Sequence, residues 1–238
     1  MASHIDTDYG RINLIDILQP ADNNIKFAGM KQTGRRMWVY SDMPFNHNVE
    51  WNFNGQHFSC MGTCAMHCPK CYAEKMVLYG PHVGAIATGL ARRTWIRRNA
   101  REAWLDGMRR RLRTLRAGDI VRMYGAGDFL NQDTVDDWTA LAIEFPHLFF
   151  YGYTKKGNLL DFSRLIALPN VNIIFGLITV HGITQINYGE ESRVISLADS
   201  IGAHVCPCGM KCNKGRHDIC MVECDACLHR SDILFPIH

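Results

Sequence analysis

From Ile120 onward the chain alternates short apolar runs with amphipathic stretches. Ile120 to Tyr124, Leu148 to Tyr153 and Val171 to Ile178 are rich in β-branched and aromatic residues and predict strands, with Ala203 to Val205 a shorter last one. Asp133 to Phe145, Leu159 to Leu168 and Ser192 to Ile201 lie between them and predict helices. Such alternation predicts a parallel sheet with helices packed outside. Upstream, Ile96, Ala100, Trp104, Met108, Leu112 and Leu115 recur at steps of three or four, the stripe of one long amphipathic helix with its basic face outward. The first 55 residues are mixed and polar. There Asp22 to Asn24 and Lys31 to Arg36 read as loops, and Val49 to Phe53 as a short strand.

Two segments escape this pattern, and both are rich in cysteine. Cys60 to Cys71 contains Gly62 and Pro69 and has no periodicity, which predicts a loop running into a helix that starts at Tyr72 to Met76. The segment from Cys206 on is irregular and reads as a metal-organised cap, so the chain divides into residues 1–205 and a cap over 206–238. Each segment holds the spacing CxxxCxxC, at Cys64, Cys68 and Cys71 and again at Cys220, Cys224 and Cys227. Three thiolates on one short loop can face a common centre, and their softness selects iron–sulfur clusters, zinc or copper(I). At the first site three cysteines leave a coordination position open, whereas recruiting Cys60 closes it; His57 and His67 are further candidate ligands. At the second, Cys220, Cys224 and Cys227 need one more thiol from Cys206, Cys208 or Cys212, with Cys206 taken as the fourth. A 4Fe-4S cluster and a zinc ion are both consistent with that set.

Composition narrows the class. With 238 residues, 47% hydrophobic and 21% charged, the chain can bury a sizeable core. It has no apolar run of about 18 residues and no basic segment followed by an apolar one near Met1, so a cytoplasmic protein without membrane contact is expected. Ten cysteines are then expected to be reduced and metal-bound rather than paired in disulfides. Net charge is only +3, yet ten arginines lie between Arg92 and Arg116 against Glu102 and Asp106. That segment reads either as a solvated outer helix or as a phosphate-contacting surface for a nucleic acid.

In a parallel sheet, ligands bind beyond the carboxyl ends of the strands. The first predicted strand ends in Gly125-Ala126-Gly127-Asp128-Phe129, where two glycines would let a ligand approach the backbone and Asp128 could accept hydrogen bonds. The second ends in Thr154-Lys155-Lys156-Gly157, read as a solvated basic loop or as part of the same ligand end. A CxxxCxxC loop before a helix, followed by a glycine-rich strand end, resembles the radical S-adenosylmethionine enzymes. That resemblance implies a partial (β/α) barrel and a 4Fe-4S cluster on Cys64, Cys68 and Cys71. It also implies S-adenosylmethionine bound near Tyr72, Gly125, Ala126, Gly127, Asp128 and Thr154, reductive cleavage to a 5′-deoxyadenosyl radical, and an external electron donor. Two residues depart from the pattern: Lys70 stands where an aromatic usually precedes the third cysteine, and Asp128 where glutamate is usual.

A closer resemblance covers most of the chain. Cys71-Tyr72-Ala73, Gly127-Asp128-Phe129, Phe150 to Lys155, Cys206-Pro207 and Cys224-Asp225-Ala226-Cys227 through Phe235 to His238 look like the phage family known as gene product eighty-eight. It implies a phage or prophage context and the same cluster-bearing barrel, without naming a substrate; phage context makes a nucleic acid or nucleotide attractive.

Overall fold

The sheet begins with a strand that the polar character of the first 55 residues hides. In the computed structural model Met37–Val39 (β4) lies between Gln19–Pro20 (β3), antiparallel to it, and Ile120–Met123 (β7), parallel to it. Phe149–Thr154 (β8) and Val171–Phe175 (β9) follow in parallel, giving a five-stranded sheet in the order β3-β4-β7-β8-β9. Ahead of it stand a hairpin of His4–Thr7 (β1) and Gly10–Asn13 (β2) and a 3-10 turn at Leu14–Ile17. A second hairpin pairs Asn48–Phe53 (β5) with Gln56–Met61 (β6). The structure describes residues 3–21, 30, 33–44, 48–53, 56–64, 73, 77, 83–175, 178–179, 182–183, 204–205 and 233–234.

The helices are Val83–Asn99 (α1), Arg101–Leu112 (α2), Gln132–Glu144 (α3) and the single turn Ser163–Ile166 (α4). Each parallel strand is added to the same edge in chain order, with α1 and α2, then α3, then α4 in the connections. Strand alternation separates the two faces. Trp38, Val121, Met123, Phe150, Val171 and Ile173 pack with Trp104, Met108, Trp138, Leu141 and Leu165 of the helices in one core. Met37, Ile120, Tyr151 and Ile174 point the other way and meet Ala21 and Met30. A fully buried Leu141 or Phe150 contributes about 2 kcal/mol by leaving water. Among the described residues the sheet is open rather than closed on itself.

The strands at Ile120 and Leu148 and the helix at Asp133 form within a residue of the expected bounds, whereas the strand from Val171 ends at Phe175 and Ile178 belongs to a separate short strand. Three further expectations are corrected. The predicted single basic helix is two: Ala100 leaves the helical region at φ −141° and ψ 55°, while Asn99 Nδ2 donates to the Trp95 carbonyl at 2.9 Å. Its stripe still faces the core, but its basic face is not all outward, because Arg93 and Arg97 are buried. Cys60 is not in a loop; it lies in β6 opposite Val49. The helix expected over Leu159 to Leu168 shrinks to α4, since the Leu159 and Leu160 amides donate hydrogen bonds to the Lys156 carbonyl in turns. The helix expected at Ser192 to Ile201 lies outside the described residues.

Two further two-stranded pairs lie later in the chain. Ile178–Thr179 (β10) pairs with Gly182–Ile183 (β11), and His204–Val205 (β12) pairs in parallel with Ile233–Leu234 (β13). The last pairing brings together the two ends of the cysteine-rich segment, since Val205 immediately precedes Cys206.

Candidate functional site at the strand ends

The carboxyl ends of β4, β7 and β8 converge on the start of the first cysteine motif. Beyond β4 the ladder continues: Gly125 N donates to the Tyr40 carbonyl at 2.7 Å, and Asp42 N to the Ala126 carbonyl at 3.0 Å. Thr63 N then donates to the Met43 carbonyl at 3.0 Å, which seats Thr63 against the end of β4. Its hydroxyl does two jobs, accepting from Asp128 N at 2.9 Å and donating to the Met43 carbonyl at 3.1 Å. Cys64, the next residue, is half-buried at this junction.

Asp128 ties the other two strand ends. Its Oδ1 accepts from Thr154 Oγ1 at 2.7 Å and from Phe129 N at 2.8 Å, and its Oδ2 accepts from Lys155 N at 3.0 Å. Three of about four acceptor positions on the carboxylate are thus used within the chain. Burial pushes its pKa up, while the Lys155 amide, the Thr154 hydroxyl, the Phe129 amide and the Lys156 charge oppose that.

Lys156, expected in a solvated basic loop, is instead buried. Its Nζ donates to the carbonyls of Phe129 and Leu130, and its amide donates to Thr154 Oγ1 at 3.0 Å. Burial pulls the ammonium pKa down; the charges of Asp128 and of a Cys64 thiolate favour the protonated form. A thiolate-bound metal at Cys64 would therefore sit beside a held cation.

The two glycines also let the chain pack closely against itself. A Cβ on Gly125 would lie 2.5 Å from Val39 Cγ1 and 2.8 Å from Ser41 Oγ. On Gly127, at φ +79°, it would lie 2.6 Å from Thr63 Oγ1 and 2.9 Å from Asp42 Cβ. On the Cβ side of both glycines the close approach is by the chain's own β4 end and Thr63.

A buried acid that sequence reading missed lies beneath this junction. Asp42 is fully buried; its Oδ1 accepts from Tyr40 OH at 2.6 Å, and its Oδ2 has no hydrogen-bond partner. Burial raises its pKa to about 6 against the Tyr40 hydrogen bond and the charges of Arg97, Arg93 and Arg98. The signal for it was the apolar run Met37 to Tyr40 followed by Ser41-Asp42, a strand and its polar end.

Of the expected site residues, Cys64, Gly125, Ala126, Gly127, Asp128 and Thr154 are brought together. Tyr72, Cys68, Cys71, Cys206, Cys220, Cys224 and Cys227 lie outside the described residues, as do Cys208, Cys212 and His67. Among the described residues, no group of three or more His, Cys, Asp or Glu could hold a metal ion, and no helix is long and apolar enough to cross a membrane. The donor chemistry at Cys64 still fits a thiolate-bound metal, because a soft ligand stands half-buried with Lys156 to offset negative charge.

The arginines of α1 and α2 are largely engaged within the molecule. Arg97 meets Asp137 at 2.9 Å and Thr134 Oγ1 at 2.6 Å, and Arg101 meets Asp137 at 2.7 Å. Arg93 donates to the Ser41 carbonyl, Arg92 to that of Tyr9, Arg98 to that of Gly62 and Arg111 to that of Ile15. Arg109 and Arg113 meet Glu144, and Arg110 meets Asp106.

The fold and junction define an α/β protein in which a mostly parallel sheet presents Cys64 at its strand ends. The family profile described as Gene product 88 matches residues 23–198, about three quarters of the chain. The chain belongs to the gene product 88 family, as its motifs led one to expect. No curated protein and no solved structure matches it.

Proposed function

We propose that this protein is an iron–sulfur enzyme that holds a 4Fe-4S cluster on Cys64, Cys68 and Cys71 and uses S-adenosylmethionine for radical chemistry. One observation carries the reading: the amide of Asp128 is bonded to the hydroxyl of Thr63, so the first cysteine of the motif stands at the glycine-rich end of a parallel strand. The sequential strand order with helices on one face is also what an arc of a (β/α) barrel requires. When bound, cluster and S-adenosylmethionine would together supply the reductive cleavage that starts the chemistry, fed by an external electron donor. The chain's part is to orient and to exclude water. Thr63 fixes the loop, Asp128 and Thr154 lock the floor beneath it, and the acceptor position left on Asp128 is available to an ammonium group. Tyr72, Gly125, Ala126 and Gly127 complete the cofactor-binding set in this reading.

The second site is a cluster or zinc held by Cys206, Cys220, Cys224 and Cys227, and the β12–β13 pairing favours a closed, metal-organised loop between its ends. A cytoplasmic location goes with reduced thiols and oxygen-sensitive metal. The alternative of a nucleic-acid-binding protein acting through Arg92 to Arg116 is disfavoured by the internal partners of those arginines.

Anaerobic preparation with iron and sulfide quantification tests the reading. Brown protein with cluster iron is expected, and Cys64, Cys68 and Cys71 changed together to alanine should lose one cluster while the C-terminal site stays loaded. Addition of S-adenosylmethionine should perturb the spectrum of the reduced cluster. Protein that reconstitutes with zinc alone would refute the radical reading, and a spectrum indifferent to S-adenosylmethionine would promote an iron–sulfur electron carrier.

A further inference from the structure

Tyr40 and Asp42 extend β4 past Val39 on the helix-facing side, two residues apart, where strand alternation places both side chains in the core. Tyr40 is fully buried, and its hydroxyl donates to Asp42 Oδ1 at 2.6 Å. Its ring is met edge-on by Tyr124 at 5.3 Å, Trp104 at 5.5 Å and Trp138 at 5.8 Å between centroids, and the two tryptophans stand 5.7 Å apart. Packing accounts for an aromatic cluster. It does not account for the polar atoms kept in it. Asp42 Oδ2, Arg97 Nε and Trp104 Nε1 are buried there without a hydrogen-bond partner, a costly arrangement that a phenylalanine core would avoid.

We propose that Tyr40 is a redox-active tyrosine whose proton is taken by Asp42, with Trp104, Trp138 and Tyr124 relaying the electron. One electron leaves the phenol for a one-electron oxidant, of the class of an organic radical or an oxidised metal complex. The O–H bond breaks as this happens, because an oxidised phenol is a very strong acid, and the proton crosses the existing hydrogen bond to Asp42 Oδ1. The products are a neutral phenoxyl radical, a neutral carboxylic acid and the reduced oxidant. A one-electron donor reverses the step and the proton returns. The groups facing Asp42 are Tyr40, Tyr124, Thr94, Arg93, Arg97 and Arg98, and Lys156 also feels its charge. Three cations keep the acid ionised above a pKa of about 6, so it stands ready as a base at neutral pH.

The pair is tied through backbone hydrogen bonds to the approach to Cys64. Tyr40 and Asp42 are bonded through their backbones to Gly125 and Ala126, and Met43 is bonded to Thr63, the residue before Cys64. The inference does not rest on S-adenosylmethionine chemistry, since any one-electron oxidant of sufficient strength would serve.

Flash photolysis with ruthenium tris-bipyridine and a sacrificial electron acceptor generates such an oxidant, and electron paramagnetic resonance reads the radical. The purified full chain should give a persistent neutral tyrosyl signal. Tyr40→Phe should lose it, with near-ultraviolet circular dichroism confirming that the aromatic cluster is otherwise kept. Asp42→Asn leaves Tyr40 an acceptor oxygen but no base, and should lose most of the yield at neutral pH; it decides alone if Tyr40→Phe disturbs packing. No tyrosyl signal in the unaltered chain, an equal signal in Tyr40→Phe, or an undiminished yield in Asp42→Asn would each overturn the proposal.

Discussion

The amide of Asp128 donates to Thr63 Oγ1 at 2.9 Å, joining residues 65 positions apart in the chain. Through that contact the end of β7 and the approach to Cys64 become one rigid junction. Thr63→Val keeps the shape but removes the oxygen, leaving a buried N–H unsatisfied at a cost of about 1–3 kcal/mol. Urea unfolding should show that loss, and Thr63→Ser should recover most of it. On the proposed reading, metal retention at the first cysteine motif should fall with Thr63→Val as well.

Gly127 allows the same junction to close. Alanine there meets both a positive φ and a Cβ position 2.6 Å from Thr63 Oγ1. Strain and overpacking together should cost about 2–4 kcal/mol. If thermal unfolding of Gly127→Ala matched the parent chain, the close approach of the cysteine loop would be wrong.

Asp42 gives stability a defined pH dependence. Its folded pKa is about 6 against 3.8 for the free side chain, so between those values the folded state holds a proton that the unfolded state has released. The contribution is present at low pH and is lost as pH rises through this window, flattening above about 6. A shift of about two units corresponds to about 3 kcal/mol. Asp42→Asn does not titrate, so its stability relative to the parent should improve by that order between pH 4 and pH 7 in a urea series. A difference that stays constant with pH would show that Asp42 is not buried as described.

The arginines of α1 and α2 should divide sharply by partner. Arg97→Ala leaves Asp137 with only the half-exposed Arg101 and strips a cation from beside Trp104, for a loss of about 3–5 kcal/mol. Arg110→Ala breaks a partly exposed pair with Asp106 four residues away and should change stability by about 0.5 kcal/mol or less. Chemical unfolding of the two variants side by side checks this. Near-equal losses would mean that the helices present one uniform basic face.

Much of the architecture was legible because the apolar runs at Ile120, Leu148 and Val171 carry their own period, and burial on both faces of a parallel sheet leaves little ambiguity. The stripe from Ile96 to Leu115 predicted its buried face for the same reason, although not the break at Ala100, which depends on backbone angles at one residue. The Cys71-Tyr72-Ala73, Gly127-Asp128-Phe129 and Phe150 to Lys155 motifs were enough to point to the family that residues 23–198 match. What the linear chain could not express was who meets whom. Three-residue β4 is too short for periodicity to register, yet it is the strand against which β7 pairs. Gly125 and Gly127 read as a place of close approach to the backbone, and only the fold reveals that Ser41, Asp42 and Thr63 crowd their Cβ side. Likewise Lys156, Arg93 and Arg97 read as surface charge, because a cation's burial depends on carbonyls and carboxylates that other segments bring to it. Local periodicity is written residue by residue; the pairing of buried polar groups exists only once distant segments have packed, and the tertiary structure alone decided it.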